Sequence, residues 1–314
     1  MNAREENTNR NNGIIFYDGD GGGFCAHLRH LFELYFIGKL TGKHIYDNYP
    51  LTHKFFSHAS DYINILESNQ YILMSELVDS TENFSSLCAK IKDTNGIILA
   101  GKHHYSRHFQ KYLKECIGGS NVYRYQKKFF KGLEYVSEQK EQKYDIGIHI
   151  RTLIDSPDGY EKYKRQRENI FKWVLKKVYH FKECYNDSPK VFFASDNNDE
   201  INMYAKTLES QGIEVSKGEI FSHTSLTKYL GKDLLVKTHD INYQLEVAIK
   251  QAEFIEKRKY IDMKGTNDLL ELAKSAYIIG TASTYNQAAF VLGGAKRIST
   301  YGYDRYKKND ELVG

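Results

Sequence analysis

Apolar positions along this chain fall into short blocks whose spacing alternates between that of a strand and that of a helix. The run GIIFY at 13–17 predicts a buried strand that ends in a Gly-rich turn, and apolar residues at helical spacing follow over 24–40. Further strands are predicted at 44–47, 71–74 and 96–100, with helical segments at 87–91 and 113–116. This alternation is typical of an α/β domain.

The second half of the chain repeats the same rhythm. The run SEQKEQK at 137–143 is charged and lacks apolar residues, so it is the best candidate for a linker. The sequence therefore predicts two Rossmann-like α/β domains, residues 1–140 and 141–314, each with a parallel sheet. Strands are predicted at 144–150, 190–194, 234–237, 277–279 and 297–300, and helices at 160–181, 201–211, 267–275 and 282–292.

Composition and charge narrow the classes of partner. The 314 residues are 41% hydrophobic and 27% charged, which is typical of a globular protein with a substantial core. A net charge of +4 with only short basic runs falls short of the basic face of a nucleic-acid binder, but it suits an anionic ligand such as a nucleotide sugar. The cysteines are too widely spaced for a CxxC site and are expected to be free thiols.

The distribution of apolar residues also predicts where in the cell the protein is located. The first 13 residues are polar, and no run of about 18 apolar residues occurs. We therefore expect no stable membrane insertion and a cytoplasmic protein, or a catalytic domain trimmed from a Golgi or ER-lumenal protein.

Polar side chains follow three predicted strands of the second half. Because the carboxyl ends of parallel strands share one sheet edge, these side chains are expected to converge on one crevice. The three groups are His149 with Arg151, Ser195 with Asp196, and Thr281 with Ser283 and Thr284.

Each group has a chemistry that suits a nucleotide diphosphate. The guanidinium of Arg151 can donate two parallel hydrogen bonds to phosphate oxygens. Ser283 and Thr284 begin a predicted helix, where backbone N–H groups favour an anion. The carboxylate of Asp196 can accept two N–H bonds from a guanine edge. The structural alternative is that these residues are helix caps and surface polar groups.

Four stretches resemble the fucosyltransferase superfamily that includes α1,6-, nodulation-type, protein O- and xyloglucan fucosyltransferases. IGIHIRTLID resembles its His-x-Arg motif, and VFFASDNNDE resembles its strand that ends in Ser/Thr-Asp. DLLELAKSAYIIGTASTYNQAAFVLGG resembles its Ser/Thr-rich turn and following helix, and GGGFCAHLRHLFELYFIGKLTGKHI resembles its opening loop and helix. The sequence departs from the α1,6 pattern at Thr152, where a second arginine would stand.

The resemblance implies a GT-B-like arrangement, in which the parallel sheets of the two Rossmann-like domains face each other across a cleft, and it implies roles for individual residues. It implies that residues 141–314 bind the GDP-fucose donor, that residues 1–140 form the acceptor side, and that Ser195 and Thr281 belong to the donor site. In that site Arg151 would hold the β-phosphate, His149 and Asp196 would contact the guanosine, and Ser283 and Thr284 would hold phosphate. Gly23 and Phe24 would line the donor side of the cleft.

The implied reaction is an inverting fucosyl transfer from GDP-fucose to a hydroxyl of a glycan or protein acceptor. Arg151 and the helix that begins after Ser283 would stabilise the departing diphosphate electrostatically, so no metal and no further cofactor are expected. A carboxylate base near the acceptor would complete the site, and Asp155 ranks first among the acidic residues that follow Arg151.

Two other classes of function stay open. Asp18 and Asp20 after a strand have the form of a haloacid-dehalogenase-type, Mg²⁺-dependent phosphatase, with Asp18 as nucleophile. The same pair could be the metal-binding Asp-x-Asp of another glycosyltransferase fold, or a simple Gly/Asp turn. A catalytically inactive GDP- or glycan-binding protein is the non-enzymatic alternative.

Overall fold

The computed structural model describes two compact units. Described residues before 116 belong to the first unit, and those from 141 onward belong to the second. The predicted boundary at 140 lies outside the described residues and stays a prediction. The structure describes residues 13–17, 24–47, 57–58, 71–78, 83–101, 108–109, 111–112, 115, 141–153, 157–219 and 267–302.

The first unit contains a parallel five-stranded sheet in the order β3-β2-β1-β5-β4. Its strands are β1 (Gly13–Tyr17), β2 (His44–Asp47), β3 (Ser57–His58), β4 (Tyr71–Leu73) and β5 (Ile97–Gly101). Three helices accompany them: α1 (Phe24–Thr41), α2 (Met74–Leu77) and α3 (Phe84–Asp93). Apolar side chains of β1, such as Ile14 and Ile15, are buried, as a strand covered on both faces requires.

The second unit contains another parallel five-stranded sheet, in the order β10-β9-β6-β7-β8. Its strands are β6 (Tyr144–Ile150), β7 (Lys190–Ser195), β8 (Glu214–Lys217), β9 (Ser275–Thr281) and β10 (Arg297–Tyr301). Its helices are α4 (Pro157–Cys184), α5 (Asn198–Glu209) and α6 (Thr284–Leu292), and residues 267–273 are also helical.

The core of the second unit explains why the long helix α4 forms over this sheet. Ile170, Val174 and Val178 recur every four residues along α4, so they form one buried stripe. That stripe belongs to the same cluster as Ile146 and Ile148, which are successive residues on one face of β6. The pattern of the sequence and the burial in the structure therefore agree for this helix and strand pair.

The α/β prediction with two parallel sheets is confirmed. Three elements were missed: β8 is polar and partly exposed, β3 is two residues long and α2 is a single turn, so none of them shows a periodic apolar pattern. The predicted strand at 234–237 lies outside the described residues. In the part of the chain that the structure describes, no helix is long and apolar enough to cross a membrane.

Candidate functional site

The chain reverses its direction of travel across the second sheet at β6. From β6 it moves outward through β7 to β8, and it then returns to the other side of β6 to form β9 and β10. In an open parallel sheet, ligands bind outside the carboxyl ends of the strands at such a switch point. The carboxyl ends of β6 and β9, which lead into Arg151 and Ser283, therefore mark the candidate site.

A buried carboxylate holds the turn that follows β6. Oδ2 of Asp196 accepts a hydrogen bond from a guanidinium nitrogen of Arg151 at 2.7 Å and from the backbone N–H of Leu153 at 3.0 Å. Oδ1 accepts the backbone N–H of Thr152 at 2.7 Å. The side chain of Asp196 is 1% exposed and that of Arg151 is 21% exposed, so the pair joins the interior to the surface.

In this arrangement Asp196 has a positioning role that was not predicted from the sequence. Three donors occupy its two carboxylate oxygens, and all three belong to consecutive residues after β6. The carboxylate therefore fixes both the path of the turn and the charged head of Arg151. A contact of Asp196 with guanosine stays a prediction.

The turn itself has an uncommon backbone. Leu153 has a φ of 58°, a left-handed conformation that a residue with a Cβ adopts at a cost. The N–H of Leu153 is held by Asp196 in this conformation, which offsets part of that cost. The hydroxyl of Thr152 is buried and makes no hydrogen bond within the described residues.

Ser195 links β7 to the neighbouring strand. Its hydroxyl donates to the carbonyl of Ile150 at 2.8 Å and accepts the N–H of Asn197 at 3.2 Å. Asn197 in turn caps α5 by accepting the N–H of Asp199. The Ser195 hydroxyl is buried in these contacts, and the predicted contact of this residue with the nucleotide stays a prediction.

Thr281 joins the ends of β6 and β9. Its hydroxyl accepts the backbone N–H of Arg151 at 2.8 Å. One residue earlier, a Cβ on Gly280 would lie 1.9 Å from the carbonyl oxygen of His149, so only glycine permits this approach of the two strands. The backbone of Arg151 is therefore held by Thr281 at the end of β9, while its side chain is held by Asp196, the residue after β7.

His149 is buried between these elements. Its ring stacks on Tyr285, with ring centroids 4.4 Å apart, and its Nδ1 lies 3.3 Å from the hydroxyl of Ser283. Burial and, to a smaller extent, the positive charge of Arg151 lower the pKa of His149 to about 3. The imidazole is therefore neutral at physiological pH, and it supports the site as a hydrogen-bonding and stacking group.

Ser283 caps α6 as predicted from its position. Its hydroxyl accepts the N–H of Asn286 at 3.2 Å, and Thr284 is the first residue of the helix. The Nδ2 of Asn286 donates to the carbonyl of Thr281 at 2.7 Å. The first N–H groups of a helix have no partner within it, so this terminus can receive an anion.

Two residues of this arrangement, Tyr285 and Asn286, were not predicted from the sequence. Tyr285 forms the stacking partner of His149, and Asn286 ties the start of α6 to the end of β9. The buried Oδ1 of Asn286 makes no hydrogen bond within the described residues. A polar residue three positions after a Ser cap was a usable signal for Asn286, whereas nothing in the spacing distinguishes Tyr285 from a core aromatic.

Several predicted residues lie outside the described part of the chain. Gly23, Asp155, Asp18 and Asp20 are among them, so the identity of the base and the role of the Asp-x-Asp pair stay predictions. Phe24 begins α1, and its side chain is likewise outside the description. No group of three or more His, Cys, Asp or Glu side chains in the described ranges could hold a metal ion.

The geometry supports binding of an anion at the carboxyl edge of the second sheet. A guanidinium carries five N–H donors in a planar fork, and that of Arg151 is partly exposed and held in place by a buried carboxylate. The amino terminus of α6 lies at the end of the adjacent strand β9, to which the backbone of Arg151 is hydrogen-bonded. Both are groups that stabilise a diphosphate.

Comparisons with known proteins give matches among solved structures. No family model matches the chain, and no curated protein matches it either. The NodZ α-1,6-fucosyltransferase soaked with GDP-fucose is similar at 12% identity and a TM-score of 0.47, over 96% of this chain and 98% of that chain.

Two further solved structures show similarity of the same order. A mutant of Arabidopsis thaliana FUT1 in complex with GDP has 10% identity and a TM-score of 0.46, over 92% of this chain and 71% of that chain. POFUT1 in complex with GDP has 12% identity and a TM-score of 0.42, over 93% of this chain and 98% of that chain. Each of the three is a likeness of fold at low sequence identity.

Proposed function

We propose that this chain is a metal-independent, inverting glycosyltransferase that moves fucose from GDP-fucose to a hydroxyl of a glycan or protein acceptor. The observation that carries the proposal is the position of Arg151. Its guanidinium is paired with the buried carboxylate of Asp196. Arg151 follows β6 at the switch point of the second sheet, and the neighbouring strand β9 leads into α6. The choice of GDP-fucose rests on the sequence motifs that surround these residues.

In the proposed reaction, the acceptor oxygen forms a bond to the anomeric carbon of fucose while the bond from that carbon to the diphosphate breaks. The electron pair of the broken bond goes to the β-phosphate oxygen, so negative charge grows on GDP. The acceptor proton goes to a base, for which Asp155 is the proposed residue. Attack from the face opposite GDP inverts the anomeric centre.

Arg151 is the proposed electrostatic catalyst. Its fixed positive charge stabilises the diphosphate as it departs, and preorganised groups of this kind need no rearrangement during the reaction. The N-terminus of α6 adds backbone N–H donors, to which Ser283 and Thr284 add their hydroxyls. Together these groups take the place that a divalent cation occupies in metal-dependent transferases.

The remaining residues of the site position these groups. Asp196 orients the guanidinium of Arg151, and Thr281 holds the backbone of the same residue. His149 stays neutral and supports α6 through its stack on Tyr285 and its contact with Ser283. A guanosine contact from His149 or from Asp196 requires the guanine ring to reach these buried side chains.

The test is a donor assay in the presence of EDTA. The protein is incubated with GDP-fucose, GDP-mannose or UDP-galactose, with a panel of glycans and peptides and with water as the default acceptor, and nucleotide release is measured. We expect GDP release from GDP-fucose to exceed release from the other donors, to persist in EDTA and to be lost in Arg151→Ala. Equal use of a UDP-sugar, or a requirement for Mg²⁺ or Mn²⁺, would contradict the proposal.

A further inference from the structure

A second concave site lies at the opposite edge of the same sheet. A cavity of about 440 Å³ is bordered by the amino-terminal ends of β6, β9 and β10 and by the last turns of α4. Asp145 at this end of β6 is six residues from Arg151, which corresponds to roughly 20 Å along a strand. The cavity is therefore separate from the candidate donor site, and its volume lies within the range of small-molecule pockets.

Positive charge predominates in the lining of this cavity. Lys177, Lys296 and Arg297 all border it, and Asp145 supplies a carboxylate. Oδ2 of Asp145 accepts the N–H of Lys190 at 2.9 Å and the side-chain amide of Asn186 at 3.1 Å. The lining therefore carries three cations against one carboxylate, and a ligand meets a net positive charge.

Aromatic rings form another part of the lining. Phe181 contacts Tyr185 at a centroid distance of 5.2 Å and is stacked on Tyr277 at 6.3 Å. Tyr185 lies at the edge of the cavity with 58% of its surface exposed, so a ligand can reach its ring. Arg297 joins the two kinds of group, since its guanidinium donates to the hydroxyl of Tyr185 at 3.0 Å and lies 5.6 Å from the ring centre.

We propose that this cavity is a binding site for a small anionic compound that carries a ring, with the anion against Lys296 and Arg297 and the ring against Tyr185 and Phe181. Charge-assisted hydrogen bonds would hold the anion, and the aromatic rings would bury the apolar face of the ligand. Nucleoside monophosphates and sugar phosphates share this chemistry. The site does not depend on the proposed transferase activity, because none of its residues belongs to the donor site.

The experiment is a set of calorimetric titrations of the full chain with adenosine monophosphate, glucose 6-phosphate, inorganic phosphate and adenosine. We expect at least one ring phosphate to bind about tenfold more tightly than both inorganic phosphate and adenosine. Whichever of adenosine monophosphate and glucose 6-phosphate binds more tightly shows whether the ligand is a nucleotide or a sugar phosphate. Inorganic phosphate or adenosine binding as tightly as both ring phosphates, or no binding by any probe at millimolar concentration, overturns the proposal.

Variants then locate the binding. Arg297→Ala and Lys296→Ala should each weaken the ring phosphate at least fivefold, and Tyr185→Ala tests the ring contact at an exposed position where loss of folding is not expected. Lys177→Ala has a matched control in Lys176→Ala, since the two residues are neighbours on α4 and Lys176 is exposed outside the cavity. Retained binding in Arg151→Ala separates this site from the donor site. Binding that survives the cavity variants but disappears in Arg151→Ala overturns the proposal.

Discussion

Arg151 and Asp196 form an ion pair with an N–O distance of 2.7 Å in which the carboxylate is buried and the guanidinium reaches the surface. The same carboxylate also accepts two backbone N–H groups of the turn after β6. A single side chain at the end of β7 therefore sets both the shape of that turn and the direction of its arginine.

Asp196→Asn should affect both stability and donor use. An amide in place of the carboxylate removes the charge that pairs with Arg151 and replaces one acceptor oxygen with an NH2 group that faces N–H donors. Breaking a fully buried pair costs about 3–5 kcal/mol, and the cost here is smaller because the guanidinium reaches the surface. We expect a lower free energy of unfolding in denaturant titrations and a weaker affinity for GDP. An unchanged GDP affinity in a folded variant would show that Asp196 does not position Arg151.

Arg151→Ala tests the catalytic role of the guanidinium. Loss of one preorganised stabilising donor typically lowers the rate about 10²–10³-fold, so kcat for GDP-fucose should fall by that factor while the fold persists. Arg151→Lys is the matched control, because it keeps the charge and loses the planar fork. Initial-rate kinetics on both variants provide the measurement, and near-normal turnover of the alanine variant would contradict the proposed site.

The close approach of β6 and β9 gives a prediction about stability. In Gly280→Ala the new Cβ would lie 1.9 Å from the carbonyl oxygen of His149, so the two central strands must separate. We expect a loss of about 3 kcal/mol or more in the free energy of unfolding. Gly294→Ala is the control, since a Cβ there meets nothing within 4 Å, and its unfolding midpoint should stay close to that of the wild type.

His149 gives the protein a predictable response to acid. Its pKa is about 3 in the folded chain because of burial and Arg151, against an ordinary value of 6.5 when unfolded. The unfolded chain therefore binds the extra proton first, and the free energy of unfolding falls as the pH drops from about 6.5 toward 3. The slope contributed by one such group is about 1.4 kcal/mol per pH unit.

The measurement compares the pH dependence of unfolding in the wild type and in His149→Gln. Denaturant titrations between pH 6 and 4 should show a shallower decline in the variant, whatever its stability at neutral pH. Equal slopes in the two proteins would mean that His149 is not held neutral in the folded state.

The sequence predicts much of this fold because the buried strands carry clear apolar runs. β1, β2 and β6 have the predicted bounds, and α4 follows from its stripe of Ile170, Val174 and Val178. α5 begins three residues before its predicted start, since the side chain of Asn197 caps it. Polar β8 could not be found in this way, because an exposed edge strand needs no apolar pattern.

The site was predictable in its location and less so in its internal contacts. The strand ends and the parallel order bring His149, Arg151, Thr281 and Ser283 to one edge, as the alternating pattern implies. The bonds of Asp196 to two backbone N–H groups depend on the path of the turn after β6, which includes the left-handed Leu153, and the stack of His149 depends on where α6 begins. Neither feature can be predicted from the spacing of residues along the sequence.

The most direct test of the central claim is a calorimetric titration of the wild type and Arg151→Ala with GDP, and in parallel with UDP, CMP and ADP, in the presence of EDTA. We expect the wild type to bind GDP without metal more tightly than the other three nucleotides, and we expect this preference for GDP to be largely lost in the variant. Absence of nucleotide binding together with Mg²⁺-dependent hydrolysis of a generic phosphate ester would contradict this expectation and would favour the phosphatase hypothesis based on Asp18.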